Sequence, residues 1–86
     1  MKHAGPAALD RLEPLLQRIR PLPGLVEKSR GVFYRRGKAF LHFHEDAAGL
    51  FADVRLAGPD FERLRVEADV ERAALFARVA SFVTRS

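Results

Sequence analysis

Gly31-Val32-Phe33-Tyr34-Arg35-Arg36-Gly37-Lys38-Ala39-Phe40-Leu41-His42-Phe43-His44-Glu45-Asp46-Ala47-Ala48-Gly49-Leu50-Phe51-Ala52-Asp53-Val54-Arg55-Leu56 reads as three β-strands joined by two short turns. Arg36-Gly37 suits a two-residue turn whose central positions take positive φ, and Asp46-Ala47-Ala48-Gly49 suits a four-residue loop. These turns set a register. It pairs Arg35 with Lys38, Tyr34 with Ala39, Phe33 with Phe40 and Val32 with Leu41. Across the second loop it pairs Glu45 with Leu50, His44 with Phe51, Phe43 with Ala52, His42 with Asp53, Leu41 with Val54 and Phe40 with Arg55. Paired residues share a face. One face then collects Val32, Tyr34, Ala39, Leu41, Phe43, Leu50, Ala52, Val54 and Leu56, an aliphatic surface suited to helices. The other collects Phe33, Arg35, Lys38, Phe40, His42, His44, Phe51, Asp53 and Arg55.

Two amphipathic segments flank the meander. Leu9, Leu12, Leu15, Leu16 and Ile19 recur at helical spacing, Asp10 and Glu13 fit a capping box, and Pro14 is tolerated in a first turn, so the helix is expected to start near Arg11. Pro21 and Pro23 end it, and residues 1–5 read as a loose end. Gly58-Pro59-Asp60 breaks the third strand. Residues 61–67 place Leu64 and Val66 among charges and read as an edge-like fourth strand, although so short a run also accommodates a helix. Asp69 is the expected N-cap of a C-terminal helix carrying Leu75, Phe76, Val79, Phe82 and Val83 to about Thr84. The expected architecture is a single two-layer α+β domain over residues 1–86. An N-terminal helix, an antiparallel meander of three to four strands and a C-terminal helix make it up, with both helices on the aliphatic face.

Composition bounds the function classes. The 86 residues are 48% hydrophobic and 30% charged, in the globular range, with no apolar run near the ~20 residues of a membrane span. The start lacks the apolar segment of a signal peptide, so the expected location is the cytoplasm. The absence of cysteine excludes disulfides, thiolate nucleophiles and Cys-ligated metal. The formal charge is +4: residues 1–40 hold 9 basic and 3 acidic side chains, net +6, and residues 41–86 hold 6 and 8, net −2. That asymmetry points to an acidic partner or nucleic acid, unless folding intermixes the charges.

The segments Leu22-Pro23-Gly24-Leu25-Val26-Glu27 and Gly31-Val32-Phe33-Tyr34-Arg35-Arg36-Gly37-Lys38-Ala39-Phe40 resemble the MmcQ/YjbR-like proteins, in which a Leu-Pro-Gly-like turn precedes a strand–turn–strand carrying Gly-Lys-x-Phe. The TfoX N-terminal domain is similar over the hairpin alone. The resemblance covers about residues 9–56 and implies a small two-layer α+β domain, in a group for which β-wing DNA binding has been suggested. By position that suggestion falls on Arg35, Arg36 and Lys38.

Three sites follow from the faces. Phe33, Phe40 and Phe51 beside His42, His44, Asp53 and Arg55 form a patch that calls for a cover. A second copy of the chain, another protein, a ligand or, with inverted faces, the C-terminal helix would each serve. A homodimer through this face is the first expectation, with His42 and Asp53 bonding at the seam and Arg55 stacking on Phe40. Arg35, Arg36 and Lys38, with Lys28 and Arg30 upstream, make a basic hairpin suited to nucleic acid, or else a solvated turn that discourages strand-edge aggregation. His42-x-His44 with Asp53 opposite suits a divalent metal or small ligand, or else a ring held by a hydrogen bond. No enzyme activity is expected, because Ser29, Tyr34, Ser81, Thr84 and Ser86 lack a nucleophile-elbow context. No Gly-rich phosphate loop supports a nucleotide cofactor, and none is expected.

Overall fold

In a computed structural model describing residues 2–85, the meander is part of a larger sheet. Met1, in the expected loose end, and Ser86, among the hydroxyl candidates, lie outside the described residues. The elements in chain order are β1 (Lys2–His3), α1 (Pro6–Ile19), β2 (Leu25–Ser29), β3 (Val32–Arg35), β4 (Lys38–Asp46), β5 (Gly49–Val54), β6 (Glu62–Arg65) and α2 (Asp69–Thr84). The sheet is antiparallel in the order β2-β3-β4-β5-β6, and β1 pairs with the end of β4 that the short β3 leaves open. Residues 61–67 thus contribute a strand, and both helices cover one face.

The second hairpin keeps the predicted register throughout: Leu41, His42, Phe43, His44 and Glu45 face Val54, Asp53, Ala52, Phe51 and Leu50. Leu41, Phe43, Leu50, Ala52 and Val54 are all buried, in one cluster with Leu12, Leu15, Leu16 and Ile19 of α1 and Leu75, Val79 and Val83 of α2. This cluster is the core that the aliphatic stripe predicts.

The first hairpin departs from expectation after two pairs. Arg35–Lys38 and Tyr34–Ala39 hold, but Phe33 then faces Leu41, so a β-bulge leaves Phe40 as the extra residue. Val32 pairs with Ser29 on β2 instead of with Leu41. The bulge inverts the faces of this hairpin. Phe33 joins the helix side at 1% exposure, Phe40 is 4% exposed with its ring stacked on Phe82 of α2 at 5.9 Å, and Tyr34 and Ala39 turn to the open face. The physical reason is burial: each ring that leaves water contributes about 1.5–3 kcal/mol, which outweighs one lost ladder pair. The turn itself matches its residues, with Arg36 at φ 54° and Gly37 at φ 78°. An arginine in that left-handed conformation is uncommon, since the region favours Gly, Asn and Asp.

The N-terminal expectations are corrected at two points. Residues 2–3 form β1, anchored by the Ala4 amide on the Phe43 carbonyl at 3.0 Å and by the Gly5 amide on Glu45 Oε2 at 2.6 Å. The helix starts at Pro6, whose missing N–H costs least at the first helical position, so Pro14 lies inside it. Asp10 and Glu13 do not cap. They instead hold Arg30, while Glu13 and Glu27 both hold Arg20. α2 starts one residue earlier than expected: Ala68 is the N-cap, its amide donates to Glu71 Oε1 at 2.8 Å, and Asp69 lies in the first turn instead of capping it.

Candidate functional site

The open sheet face, with the faces corrected, is a histidine surface more than an aromatic one. Cross-strand pairing places His3 beside His44, His44 beside Phe51, His42 beside Asp53, and Arg63 and Arg65 of β6 beside Asp53 and Phe51. Of the three phenylalanines expected there, Phe51 alone remains, half-buried. Phe61 joins it from the loop before β6, edge-on to His42 at 4.8 Å and beneath the Arg55 guanidinium at 4.2 Å. Arg55 therefore stacks on Phe61 and not on Phe40. Phe33 and Phe40 are covered by the chain's own helices, the inverted-face alternative.

The imidazoles of His3, His42 and His44 converge, each offering a ring nitrogen, with these atoms all within 4.8 Å of one another. His42 Nδ1 and His44 Nε2 lie 2.9 Å apart, and His44 Nε2 is 3.1 Å from Asp53 Oδ2. His44 Nδ1 is buried toward the Lys2 backbone without a well-formed hydrogen bond. Asp53 is otherwise occupied: both its oxygens accept from Arg63, at 2.7 and 2.8 Å. The expected trio of His42, His44 and Asp53 is thus in place, but the carboxylate is engaged and His3 is the added imidazole. Sequence reading missed His3 because the first residues showed no strand period.

Burial lowers the pKa of both His42 and His44, and for His42 the neighbouring His44 charge lowers it further. The Arg63 guanidinium holds Asp53 below the usual carboxylate range. Both shifts destabilise the fold in acid. The unfolded chain takes up protons on its histidines below about pH 6.5 while the folded sites resist, so stability is full above that pH and falls as the depressed folded values are approached. A second loss follows below about pH 4, where the unfolded chain protonates its aspartate and the folded Asp53 resists. Circular dichroism melts should show the melting temperature falling from about pH 6.5 downward in the wild type, and less so in His42→Gln/His44→Gln. A wild-type melting temperature constant between about pH 7 and 5 would contradict the buried-neutral description.

At the first hairpin the structure divides the expected basic patch. Arg30 is spent on Asp10 and Glu13, and Lys28 lies over the Tyr34 ring at 4.3 Å on the open face. Arg11, Arg20, Arg63, Arg65, Arg72 and Arg78 are likewise paired with carboxylates. Arg36, Lys38 and Arg55 form no ion pair among the described residues. They line, with Arg35, Ala39, Phe40, Gly58 and Phe82, a cleft of about 250 Å³. Arg35 and Arg85 lie over the Phe82 ring at 4.9 and 5.9 Å. Arg55 donates to the Pro59 carbonyl at 2.8 Å, while its buried Nε has no partner. Arg55 came to this cleft from the face the sequence assigned to an interface.

Among the described residues no hydroxyl hydrogen-bonds to His42 or His44. No helix is long and apolar enough to cross a membrane. Fold and site together define a two-layer α+β chain with one covered and one open sheet face. No family model, curated protein or solved structure matches it.

Proposed function

We propose that this chain is a small binding module that engages the phosphates of nucleic acid through the basic end of the β3–β4 hairpin. The observation that carries this reading is the partition of the cations: most arginines elsewhere are consumed by carboxylates, whereas Arg36, Lys38 and Arg55 gather at this cleft without one. Phosphate binding by Lys and Arg releases condensed counterions, so such a concentration of unneutralised charge is where affinity would arise. The working set is Arg36, Lys38 and Arg55, with Arg35 and Arg85 beside it. Lys28 and Arg30 drop out of it. The left-handed Arg36 supports the same reading, because a turn built only for stability would favour Asn or Asp there.

Phe82 is unsuited to stacking a base, since Phe40 lies against one side of it and Arg35 and Arg85 pack over its ring. Binding is therefore expected to be sequence-tolerant and dominated by the backbone. The test is fluorescence anisotropy with labelled single-stranded and duplex oligonucleotides across a salt series. Affinity should fall linearly on log–log axes as salt rises, and no anisotropy change at low salt would refute the reading.

Self-association through the open face has narrower support than the sequence suggested. Two of its three rings are buried in the chain's own core, and what remains apolar or aromatic there is Phe51, Phe61, Val26, Tyr34 and Ala39.

A further inference from the structure

We propose that His3, His42 and His44 form a binding site for a divalent transition-metal ion of the imidazole-preferring class, zinc foremost. Three neutral imidazoles are a recognised donor set for zinc, leaving a fourth position for water or another ligand. Their placement follows from the sheet. His42 and His44 are two apart on β4 and so share a face, and β1 adds His3 directly beside His44 through its pairing with the exposed end of β4. No loop has to close to assemble the trio.

The distances are compatible. Zinc–nitrogen bonds of ~2.0–2.1 Å at tetrahedral angles separate ligand nitrogens by about 3.3 Å. The three ring nitrogens lie within 4.8 Å of one another, and His42 Nδ1 and His44 Nε2 are 2.9 Å apart, so small side-chain rotations suffice. The surroundings supply what ligating imidazoles require. A metal-bound histidine normally donates its other ring N–H to a carbonyl or carboxylate, which fixes the tautomer. His44 has its second nitrogen buried toward the Lys2 backbone with no well-formed partner, so using Nε2 for the ion leaves Nδ1–H to be satisfied there. Phe61 lies edge-on against His42 and limits solvent on that side.

The local charge permits a cation. Asp53 lies beside the site, and Arg63, whose charge acts on both His42 and His44, is neutralised by it. Asp53 is consequently a neighbour of the site and not one of its ligands while Arg63 holds both of its oxygens. The competing explanation is that the rings merely bond to one another and to Asp53. That arrangement would contribute to stability without any dependence on metal, which separates the two experimentally.

The experiment uses tag-free, chelator-treated full chain titrated calorimetrically with zinc chloride, with thermal melts in parallel. One ion per chain is expected, together with a zinc-dependent rise in melting temperature. His3→Ala and His42→Ala should each weaken binding by about tenfold or more. His3 is exposed on a two-residue strand, so His3→Ala should keep the wild-type melting temperature without zinc and remains informative even if His42→Ala folds poorly. A wild type that shows neither heat nor a melting shift overturns the proposal. Equal binding by His3→Ala overturns it as well. Loss in His3→Ala with retention in a folded His42→Ala or His44→Ala would place the ion on the N-terminal segment alone, and the three-histidine site would be overturned by that result too.

Discussion

Phe33→Ala should destabilise the fold by about 3–5 kcal/mol, the range for truncating a buried aromatic ring. Phe33 is 1% exposed and packs in the cluster with Leu41 and the helix residues. An unbroken hairpin would put the same side chain on the open face, where truncation of a partly wet ring costs far less. Chemical denaturation of the variant therefore reads the bulge at Phe40 directly. A loss below about 1 kcal/mol would mean that Phe33 faces outward.

Leu41→Ala should cost about 2–5 kcal/mol, for a different reason. Leu41 has no exposure, faces Phe33 on one side and Val54 on the other, and lies beneath both helices. Its surroundings are strands held by ladders on both edges, which collapse poorly into a cavity. Either register buries it, so it serves as the control for Phe33: large losses in both variants support the bulged hairpin, whereas a loss in Leu41→Ala alone supports the regular one. Measured by urea denaturation, a negligible loss in Leu41→Ala would remove the two-layer core itself.

What was legible in the sequence was whatever depended on local period and turn chemistry. Asp46 to Gly49 set the second hairpin, and from it the burial of Leu41, Phe43, Ala52 and Val54 and the pairing of His42 with Asp53 followed. The first hairpin failed two pairs beyond its turn, because strict alternation has no means of marking an inserted residue. The excess of aromatic character on the supposed polar face was the one available sign. Phe33 and Phe40 together were too apolar for an open surface, and the helix that covers Phe40 does so through Phe82.

The site was less legible still. His3 belongs to a strand of two residues whose partner is remote in sequence, and a pattern needs more length than that to show a period. Asp10 and Glu13 look like a capping box because spacing alone defines one, yet Gly5-Pro6 starts the helix and leaves both carboxylates to Arg30. The division of the basic patch likewise depends on contacts between distant elements. Arg30 reaches α1, and Arg55 reaches the hairpin cleft from the end of β5. Charge counting treats all five of the hairpin's upstream and tip cations alike; folding does not.

The most direct measurement compares two charge-removing pairs in oligonucleotide anisotropy: Arg36→Gln/Lys38→Gln at the cleft and Lys28→Gln/Arg30→Gln upstream. Each removes two positive charges, so net charge is matched and only position differs. The cleft pair should lose most of the binding and reduce the slope of log affinity against log salt by about 2, while the upstream pair should stay near wild type. Equal losses in the two variants would mean that binding follows overall charge, and a loss confined to the upstream pair would contradict the cleft assignment outright.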